Sequence, residues 1–192
     1  ARQTYRTHGL YFSRVSIHAT RISQYEMVEE TDYMNAEIRE ILASVSDPEI
    51  PVLSVLDMGI IRKVEKKEAT YEISIIPTYS GCPAMDTIAD DLNAAFAKAG
   101  KKSKVIQILS PAWSTDFITD EGRKALEDYG IAAPLDVSAD KAALLGEKNK
   151  VQCTNCGSKN TRLVSQFGST ACKALFQCND CHEPFDYFKC LK

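Results

Sequence analysis

Four cysteines near the C-terminus have the spacing of a metal site. Cys153 and Cys156 form one C-x-x-C pair, and Cys178 and Cys181 form a second pair after 21 intervening residues. Each pair can turn two thiolates toward the same ion, so the two pairs together supply a tetrahedral four-sulfur site. Zinc, iron and iron-sulfur clusters all accept four cysteines, but this spacing is typical of a zinc ribbon, and we expect structural zinc. His182 directly follows Cys181, and we interpret it as a neighbour rather than a ligand.

Two further cysteines, Cys172 and Cys190, lie in the same segment but outside the C-x-x-C pairs. Cys172 precedes Lys173, whose charge could lower the pKa of the thiol and make it reactive. In an equally weighted alternative, both cysteines are small buried residues that pack the ribbon. A second metal site that combines them with Cys82 is conceivable, but the sequence alone does not support it.

The seventh cysteine, Cys82, stands apart from the other six. It follows Gly81 and precedes Pro83, a residue that suits the first position of a helix. The unpaired N–H groups and the dipole at a helix N-terminus favour a thiolate, so Cys82 is a candidate transient ligand or nucleophile. Thr78 lies upstream of Cys82 on the same loop. Asp57 lies near the end of the segment that precedes the first predicted strand. In the alternative interpretation, Cys82 only caps a helix and Asp57 only shapes a turn.

The formal net charge of -3 is an average over three unlike segments. Residues 1–25 hold four arginines and no acidic residue, residues 26–149 carry a net charge of -10, and residues 150–192 carry +3. The acidic body would repel phosphates, so we do not expect nucleic-acid binding. No run approaches the roughly 20 apolar residues that span a bilayer, so we do not expect a membrane protein. The odd number of cysteines and the absence of an apolar signal-peptide core predict a reducing, cytoplasmic location.

Residues 1–33 form a basic N-terminal extension without a sustained hydrophobic period. Arginine-rich segments with serine and threonine occur as organelle transit peptides. Because no clean amphipathic face is present, we favour a disordered extension, or sequence upstream of a natural start near Met27 or Met34. The predicted fold therefore begins at Met34.

The pattern after Met34 predicts a small α/β (α+β) domain. Apolar residues recur at helical spacing, and Asp47-Pro48 ends that helix because proline disfavours helical geometry in the residue before it. β-branched residues predict two strands at 60–65 and 69–76 around a turn at 66–68. The remaining predicted elements are a helix at 83–99, a strand at 104–109 and a helix at 119–129. The order α-β-β-α-β-α indicates a domain with a three-stranded sheet.

These patterns divide the chain after the extension into three parts. They are an α/β domain at 34–133, a linker at 134–150 with a helical turn near 141–145, and a ribbon module at 151–192. A module of about 40 residues cannot bury enough apolar surface to fold well alone. Bound metal would therefore contribute much of its folding free energy.

Three motifs of the α/β domain resemble those of the MIP18-type (DUF59) family. They are Asp47-Pro48-Glu49-Ile50, Leu56-Asp57-Met58-Gly59-Ile60 and Thr78-Tyr79-Ser80-Gly81-Cys82-Pro83. An aspartate, a threonine and a cysteine in the pattern of that family match Asp57, Thr78 and Cys82. Members are associated with iron-sulfur cluster assembly, so the resemblance implies a MIP18-like fold and makes these three residues candidates for holding or transferring iron. Met58 stands where many members have leucine, a volume-conserving difference.

The downstream motifs narrow the resemblance to the PaaD proteins of the phenylacetyl-CoA ring 1,2-epoxidase system. These motifs lie at 111–116, 129–134, 167–175 and 184–190, and the resemblance covers about residues 34–192. That system serves phenylacetate catabolism, with an oxygenase that uses a di-iron centre and a reductase that carries an iron-sulfur cluster. The resemblance implies a maturation role toward these partners, in which Cys82 holds iron transiently and the ribbon docks the client.

The alternative is a structural subunit of the epoxidase complex with a direct part in turnover. The histidines are His8, His18 and His182, and none belongs to a Glu-x-x-His pair of the kind that builds a di-iron site. No glycine-rich fingerprint for a flavin or nicotinamide is present either. An oxygenase active site is therefore not expected, although the sequence leaves an enzymatic part open. A permanent cluster at Cys82 would need ligands from a second protomer, which leaves a homodimer open.

Overall fold

The computed structural model describes residues 35–135, 137–147 and 151–189. The extension predicted for residues 1–33 lies outside the described residues, and so does Cys190. The elements follow one another as α1 (Ala36–Ala43), β1 (Ile61–Lys67), β2 (Thr70–Ile75), α2 (Ala84–Lys98), β3 (Lys102–Gln107), a 3-10 helix (Thr115–Phe117), α3 (Asp120–Asp128), α4 (Val137–Leu144), β4 (Thr161–Ser165), β5 (Lys173–Cys178) and β6 (Pro184–Phe188).

The first three strands form one sheet in the order β1-β2-β3. β1 pairs with β2 antiparallel, and β2 pairs with β3 parallel across the α2 connection. Tyr71, Ile73 and Ile75 are buried while the residues between them are half-buried, which is the alternation expected of a strand with one core face. The predicted α/β class with a three-stranded sheet is confirmed. The first turn is tighter than predicted, because Glu68 adopts a φ of 55° and β1 continues to Lys67.

Two helices supply much of the apolar core beside this sheet. Ile38 and Leu42 of α1 and Phe96 of α2 are fully buried, and the Phe96 ring lies 5.5 Å from the Tyr71 ring. Both helices keep the apolar faces that their periodicity predicts. Pro83 occupies the N-cap of α2, one position before the predicted one.

Asp47 shapes the connection that follows α1. Its Oδ1 accepts hydrogen bonds from the backbone N–H groups of Glu49 and Ile50, both at 2.8 Å. These bonds satisfy donors that have no partner in a helix or strand, and they make the Asp-Pro-Glu-Ile segment a fixed connector. Burial raises the pKa of the Asp47 carboxyl, and this effect outweighs the lowering by the two hydrogen bonds.

The segment around Asp57 passes close beneath the 3-10 helix. Gly59 has a φ of 68°, and a Cβ there would lie 2.2 Å from the carbonyl oxygen of Phe117. Any larger residue would force the two backbones apart. The indole Nε1 of Trp113 donates a hydrogen bond to the Met58 carbonyl at 3.0 Å. The irregular stretch that contains Trp113 therefore packs over the segment that contains Asp57 and Met58 and holds it in place.

The second sheet is antiparallel, with the order β4-β5-β6. Its buried rings include Phe176 and Phe185, whose centroids lie 6.1 Å apart. The Tyr187 hydroxyl donates a hydrogen bond of 2.5 Å to Asp140 of α4 and accepts one of 3.1 Å from the Leu135 N–H. α4 spans eight residues where the sequence predicted only a helical turn. The tertiary contact through Asp140, rather than a strong local period, anchors this helix.

The ribbon is joined to the α/β domain at the outer edge of β6. The Ala132 N–H donates to the Asp186 carbonyl at 2.8 Å, and the Ala132 carbonyl accepts from the Phe188 N–H at 3.0 Å. The Phe188 ring packs edge-on against Trp113 at 6.0 Å. Cys172 and Phe188 belong to the same buried cluster as the core of the first sheet. The ribbon is therefore packed directly against the α/β domain.

We predict that Asp47→Ala lowers the free energy of unfolding by roughly 2 kcal/mol, because two backbone donors lose a buried acceptor. Asp47→Asn is the matched control, since its amide oxygen can accept both bonds, and it should lose less. Urea unfolding followed by circular dichroism measures both. Equal losses in the two variants would contradict the assigned role of the hydrogen bonds.

The raised pKa of Asp47 also predicts a pH dependence. A carboxyl whose folded-state pKa exceeds the ordinary value of 3.8 binds its proton more tightly in the folded state, so its contribution to stability falls as pH rises through that raised value. The stability of the unsubstituted protein relative to Asp47→Asn should therefore decrease as the pH rises from 3.8 to the raised pKa of Asp47. An unchanged difference across the window would refute the burial effect.

Candidate metal centre and cysteine site

The four C-x-x-C cysteines meet at the end of β5. The Sγ atom of Cys153 lies 3.7 Å from that of Cys181, and the Sγ atom of Cys156 lies 3.6 Å from that of Cys178. All four sulfur atoms lie within 4.8 Å of one another, which fits four thiolates around one tetrahedral ion. Across the described ranges, no other set of three or more metal-binding side chains comes this close, and His182 is not a member.

Backbone geometry positions the first pair. The Cys153 N–H donates to the Ser158 carbonyl at 2.9 Å, and the Gly157 N–H donates to the Cys153 carbonyl at 3.0 Å. Gly157 has a φ of 74°, a conformation that glycine adopts without strain. The turn brings the Cys153 and Cys156 thiols to the same side of the chain.

In the second pair, the backbone favours the thiolate form of Cys178. The backbone N–H groups of Cys181 and Asp180 hydrogen-bond to the Cys178 sulfur and lower the pKa of its thiol to about 7. The Asp180 carboxylate in turn accepts hydrogen bonds from Ser158 and Asn160, which follow the first C-x-x-C pair. The two turns are therefore fixed to each other by polar contacts beside the sulfur atoms, as is common around metal ligands.

Cys82 lies on the loop before α2, away from this cluster. Its thiol is free and half-buried. The Cys82 N–H donates to the Tyr79 carbonyl at 3.2 Å, and the Cys82 carbonyl accepts from the Met85 N–H at 3.3 Å. Gly81 has a φ of 83°, and a Cβ there would meet open space. The loop therefore holds Cys82 by its backbone while leaving the neighbouring surface open.

Tyr79 lies beside Cys82, although its residue type suggested no role in the sequence. Burial raises the pKa of Tyr79 to about 12, and the adjacent Cys82 thiol, Cys172 and Glu49 all act in the same direction. These four side chains therefore share one neighbourhood, in which Tyr79 keeps its proton at physiological pH. The sequence could have indicated Tyr79 as a site residue, because it lies between Thr78 and Cys82 within one motif.

Cys172 reaches this neighbourhood from the ribbon. Its Sγ lies 3.0 Å from Thr170 Oγ1 and 4.0 Å from Glu49 Oε2. Burial raises the pKa of the Cys172 thiol, and the opposite effect of Lys173 is weaker. Lys173 lowers this pKa, as its position next to Cys172 suggested, but burial outweighs that effect, and Lys173 Nζ also lies 3.7 Å from the Asp186 carboxylate. The thiol packs across the junction rather than within the ribbon alone.

Asp57 has different neighbours. Its Oδ2 accepts a hydrogen bond of 2.6 Å from Ser54, and its Oδ1 accepts one of 2.9 Å from Thr119. Thr119 is the N-cap of α3, and its N–H also donates to the Asp57 carbonyl at 2.9 Å. Among the residues that the structure describes, no hydrogen bond joins Asp57 to Cys82 or to Thr78, which is half-buried. Asp57 fastens the start of α3 to the segment that precedes β1. A role of Asp57 in holding iron stays a prediction.

We predict that Asp57→Ala lowers the free energy of unfolding by about 2 kcal/mol, because Ser54 and Thr119 both lose their acceptor. Thr119→Ala should cost less. The double variant should cost less than the sum of the two single variants, since the two residues share one interaction. Chemical denaturation of the three variants measures this. Additive losses would contradict the contact between them.

Two family models match the chain. The model described as iron-sulfur cluster assembly protein matches residues 35–109, and the model described as PaaD zinc beta ribbon domain matches residues 137–189. The first match contains Asp57, Thr78 and Cys82, and the second contains the four clustered cysteines. The part of the chain that the structure describes has no helix long and apolar enough to cross a membrane.

Two solved structures are similar to part of the chain. A DUF59 domain of unknown function from Bacillus anthracis is 22% identical with a TM-score of 0.44, over 47% of this chain and 88% of that one. A Mycobacterium tuberculosis protein described as associated with iron-sulfur complex assembly and repair is 25% identical with a TM-score of 0.33, over 54% of this chain and 95% of that one.

Two relatives of known name are similar in sequence. A Porphyromonas gingivalis protein named Fe-S protein maturation auxiliary factor is 32% identical over 88 residues, which are 44% of this chain and 83% of that protein. An Escherichia coli K12 protein, named as a putative subunit of 1,2-phenylacetyl-CoA epoxidase, is 44% identical over 156 residues, which are 81% of this chain and 92% of that protein. With both modules matched in the same order, the chain belongs to the PaaD family of 1,2-phenylacetyl-CoA epoxidase proteins.

Proposed function

We propose that this protein is a cytoplasmic maturation factor of the phenylacetyl-CoA ring 1,2-epoxidase system. It assists the assembly of an iron-sulfur or di-iron centre in the complex that serves phenylacetate catabolism. The family membership supports the link to the epoxidase. The iron-sulfur assembly model over residues 35–109 and the relative named as a maturation auxiliary factor support the link to iron centres.

The placement of Cys82 is the observation that carries this proposal. Its thiol is free, half-buried and separate from the four-sulfur cluster. It lies on the loop that leads into the 15-residue helix α2, with the N-cap Pro83 between the cysteine and the helix. A thiolate at the surface can take up iron and give it away, whereas a closed four-thiolate site retains its ion.

The other two predicted residues support Cys82 in this scheme. Thr78 lies on the same loop, and Asp57 holds α3 in place through Thr119. The oxygenase and the iron-sulfur reductase of the system are the proposed clients. The ribbon, packed on the α/β domain through Phe188, offers a rigid surface for docking them.

We propose zinc as the ion of the four-sulfur cluster. The donors are four thiols with no open position for a substrate, which is the arrangement of structural zinc sites. Cys153 and Cys178 are buried, Cys181 is half-buried and Cys156 is exposed, so the ion would lie at the edge of the ribbon core. Bound zinc would neutralise thiolate charge and stabilise the ribbon by joining the two C-x-x-C turns.

Elemental analysis of the purified chain should give about one zinc per molecule, because four thiolates complete one tetrahedral site. Cys153→Ser should lose this zinc and lower the melting temperature. Cys172→Ser, outside the cluster, is the matched control and should keep its zinc. A stable brown colour that depends on Cys153 would show an iron-sulfur cluster and refute zinc.

The alternative is a structural subunit with a direct part in turnover. The name of the Escherichia coli relative as a subunit favours this alternative. A turnover subunit must stay with the oxygenase at a fixed stoichiometry while substrate is converted. A maturation factor must leave after the iron centre is complete.

We predict that Cys82→Ala lowers the iron content and the activity of oxygenase and reductase purified from cells that produce them with this chain. The loss should be several-fold, because the transient iron ligand is absent. Ser80→Ala on the same loop is the matched control and should have no effect. Clients with full iron and activity from Cys82→Ala cells would exclude the proposed role, and persistent co-purification during turnover would favour the alternative.

A further inference from the structure

The loop between β4 and β5 reaches the neighbourhood of Cys82, although the four-sulfur cluster does not use it. Cys172 ends this loop, and its carbonyl accepts a hydrogen bond of 2.9 Å from the Lys189 N–H of the strand end beside it. Its side chain is 8% exposed and belongs to the hydrophobic cluster of the α/β domain. Cys82 packs against the same cluster. Two free thiols from separate modules therefore meet one core.

The loop is held tightly enough to fix the position of Cys172. The Gly168 N–H donates to the Lys173 carbonyl at 2.8 Å, and the Lys173 N–H donates to the Thr170 carbonyl at 3.2 Å. A Cβ at Gly168 would lie 2.8 Å from Asp186 Oδ1, so a larger residue would have to displace that carboxylate. The small residues of the loop thus serve to seat Cys172 at the junction.

Oxygen and sulfur donors from three parts of the chain lie near Cys172 at the junction between the modules. Glu49 comes from the connector after α1, Tyr79 and Cys82 from the loop before α2, and Cys172 from the ribbon. The Cys172 thiol points to the Glu49 carboxylate at 4.0 Å. Tyr79 and Cys82 both pack against the cluster that contains Cys172, and the pKa of Tyr79 is raised by burial first and then by Cys82, Cys172 and Glu49.

We propose that Cys172 is a second sulfur ligand for the iron species carried by Cys82, so that the ribbon completes the carrier site. This inference rests on the proposed function in naming iron as the cargo. Thiolate donors with a nearby carboxylate suit iron and other thiophilic metals. A second thiol from the same chain also reduces the number of ligands that another protomer would have to supply.

The arrangement differs from the four-cysteine cluster in a way that suits a carrier. Within the described residues, only the four ribbon cysteines form a closed set of donor atoms within 4.8 Å. The donors around Cys82 and Cys172 are not drawn together to that degree. A site that is incomplete without its cargo binds less tightly and can release it to a client.

Dibromobimane tests whether the two thiols share a site. Each sulfur displaces one bromide from the reagent, forming a carbon–sulfur bond as the carbon–bromine bond breaks and releasing a proton, and the product fluoresces after both displacements. We expect the zinc-loaded chain in a Cys190→Ser background to form a bridge between Cys82 and Cys172, identified by peptide mass spectrometry. Cys82→Ser and Cys172→Ser should each abolish it. Absence of the bridge in the chain that keeps both thiols overturns the proposal.

Anaerobic loading with ferrous iron and sulfide tests the cargo. We expect Cys172→Ser to lose iron binding beyond the ribbon several-fold while circular dichroism stays unchanged. The exposed ribbon variant Val164→Ala is the matched control. Iron binding that Cys172→Ser does not alter overturns Cys172 as a ligand and leaves the proposed function intact. A bimane bridge in a chain that binds no iron overturns the iron assignment and the proposed function together.

Discussion

The pairing of Ala132 with the edge of β6 is the contact on which the composite structure depends. An open strand edge leaves backbone donors and acceptors without partners. Ala132 satisfies this edge through Asp186 and Phe188, which fixes how the ribbon lies on the α/β domain. Phe188 then packs against Trp113, and Trp113 reaches the Met58 carbonyl. One continuous set of contacts therefore links the ribbon to the segment that carries a family motif.

The chain contains thiols in two distinct physical settings. The four cysteines of the ribbon lie in two close turns that bring their sulfur atoms within 4.8 Å of one another, which suits permanent metal binding. Cys82 and Cys172 lie at the boundary between the modules, one half-buried and one buried. Burial raises the pKa of the Cys172 thiol and so favours its protonated form. Cysteine thiols thus suit a retained ion in the ribbon and a released ion at the boundary between the modules.

Local patterns predicted the parts of the fold that depend on neighbours in sequence. The apolar spacing of α1 and α2 and the alternation in β2 follow from helical and strand geometry. The four-cysteine cluster was also predictable, because its ligands lie in two short motifs. The structure corrected features that depend on distant contacts: α4 is longer through the bond from Tyr187 to Asp140, and burial rather than Lys173 dominates at Cys172.

The sequence by itself determined the elements, the metal-binding motif and the special position of Cys82, since each is encoded within a few consecutive residues. Only the tertiary structure decided which residues surround Cys82. Asp57 bonds to the N-cap of α3 instead, while Glu49, Tyr79 and Cys172 gather near the thiol. Packing between the modules selects these neighbours. Because that selection depends on shared burial over 123 residues of separation between Glu49 and Cys172, no local pattern records it.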